Sequence, residues 1–217
     1  MKKAKDLIKS PDNALLLLIT LMHLWALFAF NQPGLRKIFL PLTPLNLLLC
    51  SVIAFRSYQG TLVRTFGLLI GVYLIGFLVE LIGVNTGFPF GNYTYGSPLG
   101  PQVWNTPLII GLNWYILFSG ILYLIERTRL PILIKSLLGA GLMTGADILI
   151  EPVAIFLDFW TWENALPPSE NYIGWFGVSL TMFLMYYRFF KSVAATRNAF
   201  WVVCIFVMFF MIQNLIL

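Results

Sequence analysis

Charge is what this sequence has least of: Asp, Glu, Lys and Arg together make 11% of its 217 residues. A soluble domain carries roughly a quarter. At 59% hydrophobic, a soluble domain of this size would have no way to keep its apolar surface from water. A bilayer removes that constraint, so one all-α integral membrane domain over residues 1–217 is expected. Histidine is rarer still, with His23 alone. A di-iron membrane hydroxylase or desaturase needs many histidine ligands and is excluded; His23 reads as a helix-packing residue. Cys50 and Cys204 form no CxxC or metal spacing and read as small apolar residues. The last apolar run, Ala199–Leu217, has no lysine for a retinal Schiff base. Asp147-x-x-x-Glu151 only faintly resembles the acidic magnesium motifs of membrane prenyltransferases, which need more carboxylates and basic partners for a diphosphate. There is no GxSxG elbow. Gly139-Ala140-Gly141 sits inside an apolar run rather than after a strand, so it is no dinucleotide loop. Neither metal nor organic cofactor is expected.

What the sequence does have is long apolar runs. A span needs about 20 such residues, and seven stretches qualify: Ala14–Phe30, Ile38–Phe55, Leu62–Gly83, Leu108–Ile125, Ile132–Leu157, Ile173–Tyr187 and Ala199–Leu217. The first follows Lys2, Lys3, Lys5 and Lys9 as a signal peptide would. It is nearly of full span length, lacks a small-residue cleavage site, and reads as a retained helix. Pro41 and Pro44 are expected in the first turns of the second span, where proline costs least. The pairs Gly67/Gly71 and Gly141/Gly145 are expected to mark helix packing faces. The net charge of +5 comes from basic residues scattered between spans, not gathered in a stripe for nucleic acid. With the N-terminus inside, twelve basic residues fall on inner segments, and only Arg36 and Lys37 fall outside. This positive-inside bias gives seven spans, N-inside and C-outside.

Two long connections then share the outer face, Val84–Pro107 and Asp158–Tyr172, and neither holds a Lys or Arg. Both are rich in aromatic residues. An interfacial aromatic belt would account for these residues, but a belt has no need of Gly-Phe-Pro-Phe-Gly turns. Loops folded over a cavity do. Three acids, Glu80, Asp147 and Glu151, lie within spans at similar depth beneath these loops. Intramembrane carboxyls are costly and usually face a functional cavity. Asp147 and Glu151 are four apart and share a helix face. The bland alternative is that the acids hydrogen-bond helices together. A carboxyl withdrawn from water holds its proton more tightly, and neighbouring carboxyls share one, which makes a proton donor near neutral pH. Aromatic faces around it stabilise cations. Together they suit protonation of an alkene, with the carbocation captured by water or losing a proton.

The run Glu80-Leu-Ile-Gly83-Val-Asn-Thr86-Gly87-Phe88-Pro89-Phe90-Gly91-Asn-Tyr93-Thr-Tyr95 resembles the carotenoid biosynthesis protein family, whose characterised members are CruF-type carotenoid 1′,2′-hydratases. Leu99-Gly100-Pro101, Thr106-Pro107-Leu108, Trp114, Asp147 with Glu151-Pro152, Trp160-Thr-Trp162 and Asn171-Tyr-Ile-Gly174-Trp175 match in the same order. The resemblance covers roughly Glu80 to Trp175. It departs at Leu166-Pro-Pro-Ser-Glu170, where the family often has Tyr-Tyr-Gly-x-Pro, and this bears on substrate identity. It implies cofactor-free hydration of the terminal C1′=C2′ double bond of a lycopene or γ-carotene type ψ-end to a tertiary 1′-hydroxyl; related archaeal members hydrate longer bacterioruberin precursors. Asp147, Glu151 and Glu80 would be catalytic, with the first two moving protons and Glu80 orienting water or the loop. Thr86, Phe88, Phe90, Tyr93, Tyr95, Trp114, Trp160, Trp162, Asn171 and Trp175 would bind substrate. The carotenoid would arrive through the bilayer, in the bacterial cytoplasmic membrane, with other carotenoid enzymes as partners. Cyclisation of the same end group, or pigment binding without chemistry, are the alternatives.

Overall fold

The computed structural model describes residues 11–56 and 58–217. Lys2, Lys3, Lys5 and Lys9 lie outside them. The described residues form seven helices: α1 Pro11–Ala29, α2 Pro33–Arg56, α3 Leu62–Thr86, α4 Ile110–Glu126, α5 Ile132–Phe156, α6 Ser169–Met185 and α7 Arg197–Ile216. Three two-stranded antiparallel ladders join the loops: β1 Tyr58–Gln59 with β6 Ala194–Ala195, β2 Tyr93–Tyr95 with β5 Trp160–Trp162, and β3 Gln102–Val103 with β4 Thr106–Pro107. This is an all-α helical membrane bundle. Helices α1, α2, α3, α5 and α7 are long and apolar enough to cross a membrane. Their outward faces carry bare apolar side chains, such as Leu24, Leu62 and Val63, which lipid covers at no cost.

Helix α4 is shorter, at 17 residues, because it is the centre of the bundle. Most of its residues from Ile110 to Ile125 are buried, against α2, α3, α5 and α7, with Leu124 an exposed exception. Helix α6 is also 17 residues and begins at Ser169, four residues before the expected span. A π-helical turn, Tyr186–Phe190, extends it. Helix α7 is fastened at its end by polar groups. Asn31 and Gln213 exchange amide hydrogen bonds at 3.1 Å, and Asn214 donates to the Leu149 carbonyl at 2.7 Å.

The ladders sort the loops to opposite ends. Pairing of β1 with β6 puts Arg56, Arg64, Arg188, Lys191 and Arg197 at one end, where Arg64 donates to Ser192. Arg127, Arg129 and Lys135 lie at the same end of α4 and α5, and Lys135 pairs with Glu126 at 3.0 Å. Arg36 and Lys37 stand at the other end with β2 and β5. This is the sorting that a positive-inside bundle requires.

Within α2, Pro41 stands at the start of a 3₁₀ turn, Leu40–Leu42, and Pro44 is the second residue of the α-helical segment Thr43–Arg56, so both take first-turn positions where proline costs least. One expectation is corrected. Gly141 and Gly145 pack on nothing: a Cβ at either would find no atom within 4 Å. Gly67 and Gly71 do lie against α6 and its π turn, beneath Met185 and Phe190. The close contact on α5 is at Gly139, where a Cβ would meet the Phe183 ring at 2.5 Å. Gly139→Leu is therefore expected to cost about 1–3 kcal/mol by overpacking, while Gly141→Ala is neutral or stabilising through helix propensity. Thermal unfolding in detergent separates the two, and equal melting temperatures would contradict the α5–α6 packing.

Candidate active site

The outer loops are built to bring aromatic groups inward. Helix α3 ends at Thr86, and Gly87 takes a left-handed C-cap (φ 75°) with its N–H on the Gly83 carbonyl. Beyond it the chain turns back, and Phe90 drops into the bundle, 1% exposed. It fills notches left by Gly83 and Gly174, where a Cβ would meet its ring at 2.8 and 2.7 Å. Strand β2 then pairs with β5 in the register Tyr93↔Trp162, Thr94↔Thr161, Tyr95↔Trp160. Side chains alternate along a strand. The register therefore sends two tyrosines and two tryptophans to one face and leaves Thr94 and Thr161 on the other.

That face meets the three acids. Tyr93 and Tyr95 donate their hydroxyls to Oε2 of Glu80 at 2.5 and 2.7 Å, and Trp114 Nε1 donates to Oε1 at 3.0 Å. Trp160 and Trp162 donate their indole N–H groups to Oε2 of Glu151 at 3.0 and 2.9 Å. The Asn171 amide, one turn into α6, donates to Asp147 Oδ2 at 2.8 Å and reaches Glu151 Oε1 at 3.4 Å. It thus bridges the pair that the i, i+4 spacing sets side by side. Oδ1 of Asp147 is buried and has no hydrogen-bond partner among the described residues. Glu80, Asp147 and Glu151 are 4%, 1% and 3% exposed, so none of them reaches water at the interface. Burial, and then the Glu80 charge, push the Tyr93 and Tyr95 phenols well above their ordinary range, which keeps both as neutral donors.

The acids wall one small chamber of about 20 Å³. Phe90, Tyr93, Tyr95, Trp160, Trp162, Asn171 and Trp175 complete it, with Ile110, Asn113 and Ile150. Trp114 stands behind, stacked on Trp175 with ring centroids 3.7 Å apart. Thr86 and Phe88 do not join this chamber. Thr86 is six residues past Glu80, about 120° around the helix, and its hydroxyl bonds back to the Ile82 carbonyl. The Gly87 turn leaves Phe88 74% exposed, beside a shallow surface depression. Both belong to the turn, not to the chamber wall. Sequence reasoning passed over Asn113, although a lone amide inside the Leu108–Ile125 run was a signal for it.

Residues 42–217 match the family described as carotenoid biosynthesis protein. Among characterised relatives, a bisanhydrobacterioruberin hydratase from Haloarcula japonica is 31% identical over 122 residues, covering 49% of this chain and 39% of that protein. The matched region thus spans well under half of the relative's length. No solved structure gives a significant match. Matched over most of its length, with the acids and aromatic ladder all inside the matched region, the chain belongs to the carotenoid biosynthesis protein family.

Proposed function

We propose that the chain adds water across the terminal C1′=C2′ double bond of a carotenoid ψ-end, of the lycopene or γ-carotene type. The observation that carries this reading is the pairing of Asp147, whose Oδ1 is buried without a partner among the described residues, with Glu151, whose hydrogen-bond partners among them are all N–H donors. Donors alone suit a carboxylate; an oxygen with none suits a protonated carboxyl. In this scheme Asp147 delivers its proton to C2′, and the electron pair of the double bond forms the new C–H bond. A tertiary cation remains at C1′, facing aromatic rings that stabilise it without reacting. Water attacks C1′ and passes one proton to Glu151. The proton returns to Asp147 across the pair that Asn171 bridges, so the sum is one water added. Glu80, with three donors of its own, holds the tyrosines and the loop. The named activity of the Haloarcula japonica relative supports hydration as the reaction class.

The test is expression in a host that accumulates lycopene or γ-carotene, grown in isotopically labelled water. The expected product is heavier by one water, and its oxygen carries the label. Label arriving from molecular oxygen would overturn the scheme. A product of unchanged mass would mean cyclisation, and bound but unaltered pigment would mean a binding protein.

A further inference from the structure

A second and larger hollow, of about 170 Å³, adjoins the acid chamber among α1, α2, α4, α5 and α7. Ile110, Asn113, Ile150 and Trp160 wall both spaces. Asn113, at this junction, makes no side-chain hydrogen bond among the described residues. The rest of the lining is almost wholly apolar. Its other polar groups are occupied: His23 Nδ1 bonds the Ile19 carbonyl and Thr43 the Leu40 carbonyl, at 2.8 and 2.7 Å, and the Asn46 amide donates to Met22 Sδ on α1 at 4.0 Å and accepts from Cys50 Sγ at 3.6 Å. Trp25 and Leu42, each 44% exposed, lie on the lipid side, with Trp25 edge-on to Phe39 at 5.5 Å. Leu42 belongs to the 3₁₀ turn that interrupts α2.

We infer that this hollow seats the hydrocarbon chain of a linear polyene, admitted from the bilayer between α1 and α2 past Trp25 and Leu42, with its end group reaching the acids beside Asn113. The inference rests on the hydratase reading and gives the same site its substrate seat. The acid chamber, at about 20 Å³, is far smaller than a ligand pocket and can take only the tip of an end group, not a whole carotenoid. The remaining chain must stay in apolar surroundings while the terminal double bond meets a carboxyl. A phospholipid would need a cation for its phosphate, and among the described residues no Lys or Arg lines the hollow; an uncharged polyene needs none.

The test uses the full chain in phosphatidylcholine nanodiscs loaded with lycopene. Binding is read by induced circular dichroism of the pigment, and water addition is followed in parallel. Ala26 lines the hollow. Ala26→Trp is expected to weaken polyene binding at least tenfold and Ala26→Leu about threefold, while Leu24→Trp, on the lipid face, leaves it unchanged. If Ala26→Trp does not fold, Ala26→Leu decides alone. Wild-type binding in both Ala26 variants, or a phospholipid chain that lycopene does not displace, would overturn the seat. Unchanged KM for hydration in those variants would sink the seat and spare the hydratase reading. Binding lost in them, with no water added by the wild type, would do the reverse.

Discussion

Asp147→Asn and Glu151→Gln are each expected to slow water addition by about 10²-fold or more, the usual contribution of a positioned acid or base. Both changes keep the shape of the side chain and an oxygen to accept from Asn171, Trp160 or Trp162, so the fold has little reason to respond. What they remove is the proton. Asparagine at 147 has none to give to C2′, and glutamine at 151 takes none from water. Because the two act on one proton circuit, the double variant should be hardly slower than the worse single one. Single-turnover rates in nanodiscs, taken beside melting temperatures, check this. Near-normal rates in both variants would remove these residues from the chemistry. Loss of rate together with loss of folding would return them to the role of helix glue.

Glu80→Leu is expected to damage the site through its architecture. It orphans Tyr93, Tyr95 and Trp114, and each buried donor left unpaired costs about 1–3 kcal/mol. The loop that carries Phe90 and the β2–β5 ladder should loosen, seen as faster amide exchange across residues 88–96, and hydration should fall at least tenfold. Removing both partners of a buried hydrogen bond costs far less than removing one. The triple variant Glu80→Leu, Tyr93→Phe, Tyr95→Phe should therefore recover protection in the loop. Protection that stays low in the triple variant would mean that Glu80 does more than hold these hydroxyls.

The membrane character, the seven apolar runs and the sorting of basic residues were legible in the chain, because hydropathy and charge placement are local properties that a bilayer reads segment by segment. Helix count alone then put Glu80, Asp147 and Glu151 at a common depth. Which donors each acid receives was not legible. Glu80 takes tyrosines and Glu151 takes tryptophans because β2 pairs with β5 in one register, across more than sixty residues of intervening chain. A shift of one residue would turn Thr94 and Thr161 inward instead. The turn at Gly87 likewise separates Phe90 from Phe88, two residues that a composition-based reading treats alike.

Local pattern is enough to make this chain an apolar bundle with three carboxyls and a belt of aromatic residues near one surface, since the cost of charge in hydrocarbon falls on each residue separately. Tertiary structure decided which carboxyl is saturated, which oxygen is left bare, and that α1, α2 and α7 help enclose a second hollow beside the acids. Those features depend on side chains from distant segments meeting at hydrogen-bond and van der Waals distances, and no local pattern encodes such meetings.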